Sequence, residues 1–205
     1  MGIYKQWVLP PLIDRTMRNT VLAPYRERLA QKAEGRVVEV GIGSGLNLPL
    51  YGANVREVIG IEPSAALLDI ARSEVKHGTV PVTLLLGQAE ALPLDDNCAE
   101  TVVSAWTLCS VGDLSRALQE IRRVLKPGGC LVFVEHGLAP EPGVVRWQDR
   151  LNPVWRRIAG GCNLNRNIRA HIEDAGFRVD QLQTGYLSSG FRPWTFMYEG
   201  SAVCP

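Results

Sequence analysis

The stretch that decides the fold runs from Val37 to Gly45 and reads VVEVGIGSG. Its first half is an apolar run typical of a buried strand, and it leads directly into a turn with glycine at alternate positions. Glycine adopts positive φ and lets the backbone approach a ligand closely. A second apolar run, 58–61, ends at Glu62, whose carboxylate can accept hydrogen bonds from a ribose diol. Together they predict a nucleoside-cofactor site at the edge of a parallel sheet.

Composition excludes several classes of protein. The 205 residues predict a single domain. Lys and Arg number 22 and Asp and Glu 21, which gives no electrostatic case for nucleic-acid binding. The cysteines show neither a CxxC pair nor a histidine at zinc spacing, so we expect free thiols in a reducing compartment and no metal site. No apolar run approaches the roughly 18 residues of a membrane span, and a cytoplasmic enzyme is the default expectation.

From residue 36 onward, strand-like and helix-like runs alternate, which predicts a doubly wound parallel sheet. The predicted strands are 37–40, 57–61, 80–86, 101–104 and 130–135, with closing strands at 177–182 and 195–203. The predicted helices are 65–75, 115–125, 144–158 and 167–175. The run Lys126–Gly129, KPGG, supplies the residues that stop the second of these helices.

The glycine turn does not complete the dinucleotide fingerprint G-x-G-x-x-G. Its third position is Leu46 when counted from Gly41, and Leu48 when counted from Gly43. An NAD-dependent oxidoreductase is therefore the weakest interpretation. The remaining pattern is an acidic residue, Glu39, followed by three alternate glycines, and a glycine-rich turn without a cofactor is its plain structural alternative.

Four segments, in order and at the right spacing, resemble class I methyltransferases that use S-adenosylmethionine. They are the glycine turn with Glu39, the strand ending at Glu62, the loop 87–96 (GQAEALPLDD), and the segment 101–129 ending in RVLKPGG. The resemblance covers 36–136 and implies a Rossmann-like, mostly parallel seven-stranded α/β sheet with helices on both faces and an antiparallel last strand. It also implies S-adenosylmethionine as cofactor and S-adenosylhomocysteine as product.

The same resemblance implies which residues bind the cofactor. The turn wraps the amino-acid end, Glu62 binds the ribose, and the loop after the third strand lines the adenine pocket. In that loop the usual Asp is displaced, with Ala89 in its place and Glu90 next. The implied cofactor-binding residues are Glu39, Gly41, Gly43, Gly45, Asn47, Glu62, Pro63, Gln88, Ala89, Glu90 and Ala105.

A narrower resemblance concerns the acceptor. Segments 40–51, 107–111, 135–136 and 161–164 resemble a small group that includes animal thiol methyltransferases and bacterial proteins described as phospholipid or ubiquinone-type methyltransferases. It implies a small-molecule acceptor, with a thiol sulfur as the first expectation. A lipid or quinone acceptor at the membrane surface and a non-catalytic, cofactor-binding regulator are the alternatives. The membrane anchor of the animal proteins is not carried over to this chain.

Methyl transfer from a sulfonium is an in-line displacement in which the protein supplies orientation and excludes water. His136, just past a central strand, is the predicted general base or thiolate-stabilising group, with Glu135 beside it as a second catalytic candidate. The alternative is that either residue anchors the following loop. Cys109 and Cys162 are interpreted as packed small hydrophobes.

We expect one methyltransferase domain over 1–205. It would comprise an N-terminal helical lid at 1–35, a cofactor core at 36–136, and substrate-side helices with closing strands at 137–205. Aromatic residues and arginines within 1–30 suit either a lid over the cofactor or a peripheral contact with a membrane surface. The oligomeric state is not predicted.

Overall fold

A seven-stranded sheet of order β3-β2-β1-β4-β5-β7-β6 forms the centre of the computed structural model, which describes residues 4–205. The strands are β1 (Gly35–Val40), β2 (Val55–Glu62), β3 (Val82–Leu86), β4 (Ala99–Ala105), β5 (Leu125–His136), β6 (Arg178–Tyr186) and β7 (Phe196–Val203). β1 to β5 pair in parallel, whereas β7 is antiparallel to both of its neighbours. The predicted fold class, including the antiparallel last strand, is confirmed.

Within residues 4–205, six α-helices flank this sheet. They are α1 (Leu9–Met17), α2 (Ala23–Gln31), α3 (Ala65–Glu74), α4 (Leu114–Val124), α5 (Pro142–Ile158) and α6 (Ile168–Asp174). Side-chain oxygens of Ser64, Asp113 and Asn167 cap α3, α4 and α6 by accepting a backbone N–H from the first turn. These caps fix where α3 and α4 begin after the loops at the ends of β2 and β4, and where α6 begins after the loop that follows α5.

The core covers both faces of the sheet. In β1, Val37 packs into one hydrophobic cluster while Val38 and Val40 pack into the other, and all three are fully buried. This explains why the strand reads as an unalternating apolar run. Within residues 4–205, no helix combines the length and apolar character needed to cross a bilayer.

Two boundaries differ from the sequence-based expectation. α4 ends at Val124, and the KPGG run lies within the range of β5 rather than in a free turn. Gly128 has a φ of +77°, and its N–H donates to the Cys204 carbonyl at 2.9 Å, so the run is held against the end of β7. β6 extends to Tyr186 because pairing with β7 continues as far as Phe196.

The strand order places the site. The chain leaves β1 toward β2 and β3, then returns to the other side of β1 as β4. Ligands of doubly wound sheets bind at such a reversal, beyond the carboxyl ends of the strands. α1 lies over this edge and is tied to α3 because Arg18 pairs with both Asp14 and Glu74.

Candidate active site

A cavity of about 770 Å³ opens at the carboxyl ends of β1, β2, β4 and β5. Its walls are mostly apolar and come from α1, the glycine turn, the loops after β3 and β4, and the chain from the end of α5 to Cys162. The part of the predicted N-terminal lid that the structure describes therefore forms one wall of the cavity. Lys5 and Gln6 side chains and residues 1–3 of that lid lie outside what the structure describes.

The three glycines of the turn all have positive φ but serve different purposes. A Cβ on Gly41 would lie 2.2 Å from Oγ1 of Thr107, so no larger residue fits there. A Cβ on Gly43 would meet no atom closer than 4.0 Å, and Gly43 lines the cavity, so its missing side chain leaves room for a ligand. A Cβ on Gly45 would lie 3.2 Å from Ala71 of α3, so this glycine allows the turn to pack against the helix; unlike the expectation for it, Gly45 does not line the cavity.

Glu39 lies beneath the turn and is only 1% exposed. Its oxygens accept hydrogen bonds from Asn47 Nδ2 at 2.7 Å and from the Tyr51 hydroxyl at 2.6 Å. Burial raises the pKa of Glu39 to about 7, against the opposing effect of these hydrogen bonds and of Arg26. Asn47 stands behind Glu39 and does not line the cavity, so it positions that carboxyl instead of touching a cofactor directly.

Glu62 ends β2 in the cavity wall, with Pro63 next to it. One carboxylate oxygen accepts the N–H of Gly43 at 3.1 Å and the other accepts the N–H of Ser64 at 3.0 Å. Burial raises the pKa of Glu62, and these two backbone donors oppose the rise. Each oxygen keeps a lone pair, so the residue fits a ribose diol as predicted.

The loop after β3 supplies a third part of this half of the cavity. Gln88, Ala89 and Glu90 all line it, as does Ala105 at the end of β4. Oε1 of Glu90 accepts the N–H groups of Gly112 and Asp113 at 2.8 and 3.2 Å. The Glu90 carboxylate thus ties this loop to the start of α4, and its side chain is committed to that contact.

Arg26, on α2, is a site residue that sequence reasoning missed. It is 8% exposed, it donates to Asn47 Oδ1 at 2.9 Å and to the Met17 carbonyl at 3.2 Å, and it lines the cavity. Its guanidinium lies 4.7 Å from the ring centroid of Trp106, a cation–π contact. Burial lowers its pKa to about 10, which leaves it cationic at neutral pH. Among the described residues no carboxylate forms an ion pair with Arg26, so a ligand anion would form that ion pair.

Trp106 adopts a φ of +54°, an uncommon conformation for a bulky side chain. Its N–H donates to the Val134 carbonyl at 2.7 Å, which extends the pairing of β4 and β5 by one residue. Such strain is found most often at functional sites, and Trp106 does line the cavity.

Glu135 differs from its expected catalytic role. It is fully buried, and its carboxylate accepts the Ser104 hydroxyl at 2.7 Å. It also accepts three backbone N–H groups, from Thr107, Leu108 and Cys109, at 2.9–3.1 Å. Burial raises the pKa of Glu135, and the Ser104 and backbone donors oppose the rise. Glu135 is not part of the cavity wall, and it anchors the loop after β4 rather than the following loop that was the alternative for it.

His136 does line the cavity, and the structure places two cysteines against it. Its Nδ1 lies 3.5 Å from Cys162 Sγ, which in turn lies 3.6 Å from Cys109 Sγ. The hydrogen bond with Cys109, followed by the contact with His136, lowers the pKa of Cys162, whereas the pKa of Cys109 is raised. The interpretation of these cysteines as packed hydrophobes therefore misses their contact with the predicted catalytic histidine.

Trp155 adds a polar group to the same wall. Its Nε1 is buried and has no hydrogen-bond partner of normal geometry among the described residues, although it lies near enough to the Cys162 thiol to lower the pKa of that group. A buried donor without an acceptor costs about 1–3 kcal/mol, so a ligand that supplies one is favoured.

Comparison with known proteins agrees with this geometry. Residues 38–133 match the family described as "Methyltransferase domain". The chain is 31% identical over 191 residues to the thiol S-methyltransferase TMT1B of Homo sapiens, which spans 88% of this chain and 76% of that protein. It is 33% identical over 154 residues to TMT1B of Rattus norvegicus, spanning 73% of this chain and 63% of the rat protein.

A bacterial relative and a solved structure extend the comparison. The chain is 35% identical over 137 residues to a phosphatidylethanolamine N-methyltransferase of Cereibacter sphaeroides, covering 65% of this chain and 66% of that protein. A crystal structure of a SAM dependent methyltransferase from Aquifex aeolicus superposes with a TM-score of 0.64 at 22% identity, over 96% of this chain and 98% of that one. The structural likeness supports the fold alone.

The chain belongs to the S-adenosylmethionine-dependent methyltransferases, and the predicted family and enzyme class are confirmed. This family implies S-adenosylmethionine as cofactor. The residues present fit it: open space at Gly43, a carboxylate at the end of β2, and a buried cation without a paired carboxylate beside the turn.

Proposed function

We propose that this protein transfers the methyl group of S-adenosylmethionine to the sulfur of a small thiol. The observation that carries the proposal is the position of His136, which shares a mostly apolar cavity with the glycine turn and Glu62. The human and rat relatives described as thiol S-methyltransferases support the same acceptor. A free thiol has a pKa near 8.5, so only modest assistance is needed to form the thiolate at neutral pH.

The proposed cofactor contacts divide among the elements described above. Glu62 would bind the ribose hydroxyls, and the loop with Gln88 and Ala89 would line the base. Arg26 would pair with the carboxylate of the amino-acid end, and Glu39 would provide a negative charge beneath the turn. The long side chains of α1 would exclude water from the bound ligand.

When bound, the cofactor supplies an electrophilic methyl on a sulfonium sulfur, which a thiolate takes by in-line displacement to give a methyl thioether and S-adenosylhomocysteine. His136 takes the proton of the acceptor thiol and passes it to solvent at the cavity mouth. Glu135 holds the loop that carries Cys109, and in doing so fixes the part of the cavity wall that this loop forms. The protein's contribution is therefore mainly orientation and exclusion of water.

The test uses the full chain with labelled S-adenosylmethionine and a matched panel of thiophenol, an alkyl thiol, a phenol and an amine. We expect methyl thioethers from the two thiols and little product from the others. If calorimetry shows that the cofactor binds, but only the phenol or the amine is methylated, the thiol acceptor is contradicted. Binding without turnover on any acceptor would favour a regulator.

A second candidate function rests on the surface beside the cavity. Trp7 and Leu12 near α1 are 71% and 50% exposed, and Ile158 at the end of α5 is 51% exposed. The Tyr4 hydroxyl donates to the Ile158 carbonyl at 2.8 Å, so these two stretches are neighbours. We propose that this apolar rim contacts a membrane surface, from which a lipid or quinone acceptor would enter. The Cereibacter relative, described as acting on phosphatidylethanolamine, supports this second candidate.

Co-sedimentation with phosphatidylethanolamine-containing liposomes tests the rim. The double variant Trp7→Ser, Leu12→Ser should lose most of the bound fraction, while Leu86→Ser, at an exposed apolar position on the end of β3, should keep it. Equal binding by all three proteins would rule out the rim as the contact.

A further inference from the structure

Three potential metal ligands meet in the wall of the cavity. The ligand atoms of Cys109, His136 and Cys162 all lie within 4.8 Å of one another. They come from the loop after β4, the last residue of β5 and the chain beyond α5. This contrasts with the expectation of no metal site, which was based on the spacing of cysteine and histidine along the sequence.

Two of the three distances between the ligand atoms match a tetrahedral ion, and the third, between Cys109 Sγ and His136, lies within 4.8 Å. Bonds of about 2.3 Å to sulfur and about 2.0–2.1 Å to nitrogen place two sulfurs about 3.8 Å apart and a sulfur and a nitrogen about 3.5 Å apart. The structure has 3.6 Å between the two Sγ atoms and 3.5 Å between Cys162 Sγ and His136 Nδ1.

The surrounding loops hold these ligands in place. The Cys109 N–H donates to Glu135, and the Cys109 carbonyl accepts both the N–H and the Nδ2 of Asn163. Gly161 has a φ of +99°, and a Cβ there would lie 2.8 Å from the Ser110 carbonyl oxygen, so glycine is needed for the two loops to meet. A site preorganised by hydrogen bonds around its ligands is typical of bound metals.

We propose that Cys109, His136 and Cys162 bind a zinc ion with its fourth position open to the cavity. Two thiolates and an imidazole are a ligand set that favours zinc, and three protein ligands with one open position are typical of catalytic zinc.

The open position gives the site a use. Resting on the proposed function, the fourth ligand would be the sulfur of the acceptor, held as a thiolate that faces the cofactor half of the cavity. A zinc ion held there would stabilise that thiolate in place of the imidazole, and His136 would be a zinc ligand instead of the proton acceptor. The acceptor proton leaves to solvent, and no other reactant is needed.

Metal binding can be measured without cofactor or acceptor. The full chain, reduced and stripped with a chelator, is titrated with cobalt(II) and then with zinc in competition with a colorimetric chelator. We expect one ion per chain, thiolate-to-cobalt charge transfer and the strong visible bands of a tetrahedral site. Cys109→Ser and Cys162→Ser should lose more than the roughly 10–100-fold in affinity that a lost outer partner costs. Cys130→Ser, in β5 outside the cluster, should match the wild type.

Circular dichroism establishes that each variant is folded, and His136→Ala, at a half-buried position, provides a ligand variant with little effect on the core. The proposal is overturned if reduced, folded wild-type protein binds neither ion, or if a Cys109–Cys162 disulfide forms and the reduced protein still takes up no metal. Because no cofactor is present, failure here leaves the methylation test untouched. If the protein binds the metal but methylates no thiol, the proposed thiol acceptor is wrong and the proposed metal site still stands.

Discussion

The two halves of the cavity are built in different ways. The cofactor half comes from consecutive elements, β1 to β4 with their loops, and its residues fall between Glu39 and Ala105. The acceptor half is assembled from α1, the loop after β4, the end of β5 and the chain beyond α5. A local chain segment fixes the first half through backbone geometry, whereas the second depends on long-range packing.

The largest effect should come from the glycine turn. In Gly41→Ala, the added Cβ meets Thr107 in a positive-φ position, so we expect the free energy of unfolding to fall by about 3 kcal/mol or more, with loss of cofactor binding. Urea denaturation and calorimetry measure both. Gly52→Ala is the control because a Cβ there meets nothing within 4 Å. Equal stability of both variants would show that the turn tolerates side chains.

The next effect tests the acceptor half. His136→Ala should lower turnover about 100-fold for an alkyl thiol and much less for thiophenol, because the more acidic thiol needs little help to ionise. Turnover with both acceptors at saturating cofactor gives the comparison. An equal loss for both would assign His136 a structural role only.

Arg26 joins the two halves. Arg26→Met should weaken cofactor binding about 10–100-fold, because charge-assisted hydrogen bonds contribute roughly 1.5–3 kcal/mol. The control is Arg28→Met, which lies on the same helix as Arg26 and removes an ion pair between Arg28 and Glu199 of β7. A cofactor analogue without the carboxylate should bind wild type and Arg26→Met equally, and discrimination between them would place the contact elsewhere.

The smallest effect concerns pH. Because the pKa of Glu39 is raised to about 7 from 4.5, its neutral form stabilises the fold below its unfolded pKa, and that contribution is lost as pH rises through 7. A cationic cofactor favours the ionised form, so affinity should rise less than about tenfold between about pH 5 and about pH 8, with proton release. Calorimetry in buffers of different ionisation enthalpy measures this. Glu39→Gln should make cofactor affinity nearly independent of pH over this range. An unchanged pH dependence in this variant would mean that another group titrates.

Sequence reasoning reached the cofactor half because its signals are local. The glycines, Glu62 and the loop 87–96 follow one another at spacings that the fold imposes. It did not foresee that Gly45 and Asn47 lie outside the cavity wall, the first packed against α3 and the second hydrogen-bonded to Glu39.

In the acceptor half, Cys109 and Cys162 are 53 residues apart, and the hydrogen bonds from Asn163 to the Cys109 carbonyl hold their two loops together. Arg26 precedes the first strand, where no motif marks it. Glu135 and His136 are neighbours in sequence, yet strand alternation turns one into the core and the other into the cavity.

The unpaired charge of Arg26 has a consequence for how long the chain survives. Arg26 is a buried cation that forms no ion pair within residues 4–205 and reaches Glu39 through Asn47, so a ligand anion would stabilise the chain around α1 and α2. Ligand at about 100 times its dissociation constant adds about 2.7 kcal/mol to the native state. Where proteases cut the transiently opened chain, a low concentration of S-adenosylmethionine would shorten the lifetime of the enzyme. The amount of enzyme would then follow the concentration of its methyl donor without a separate regulator.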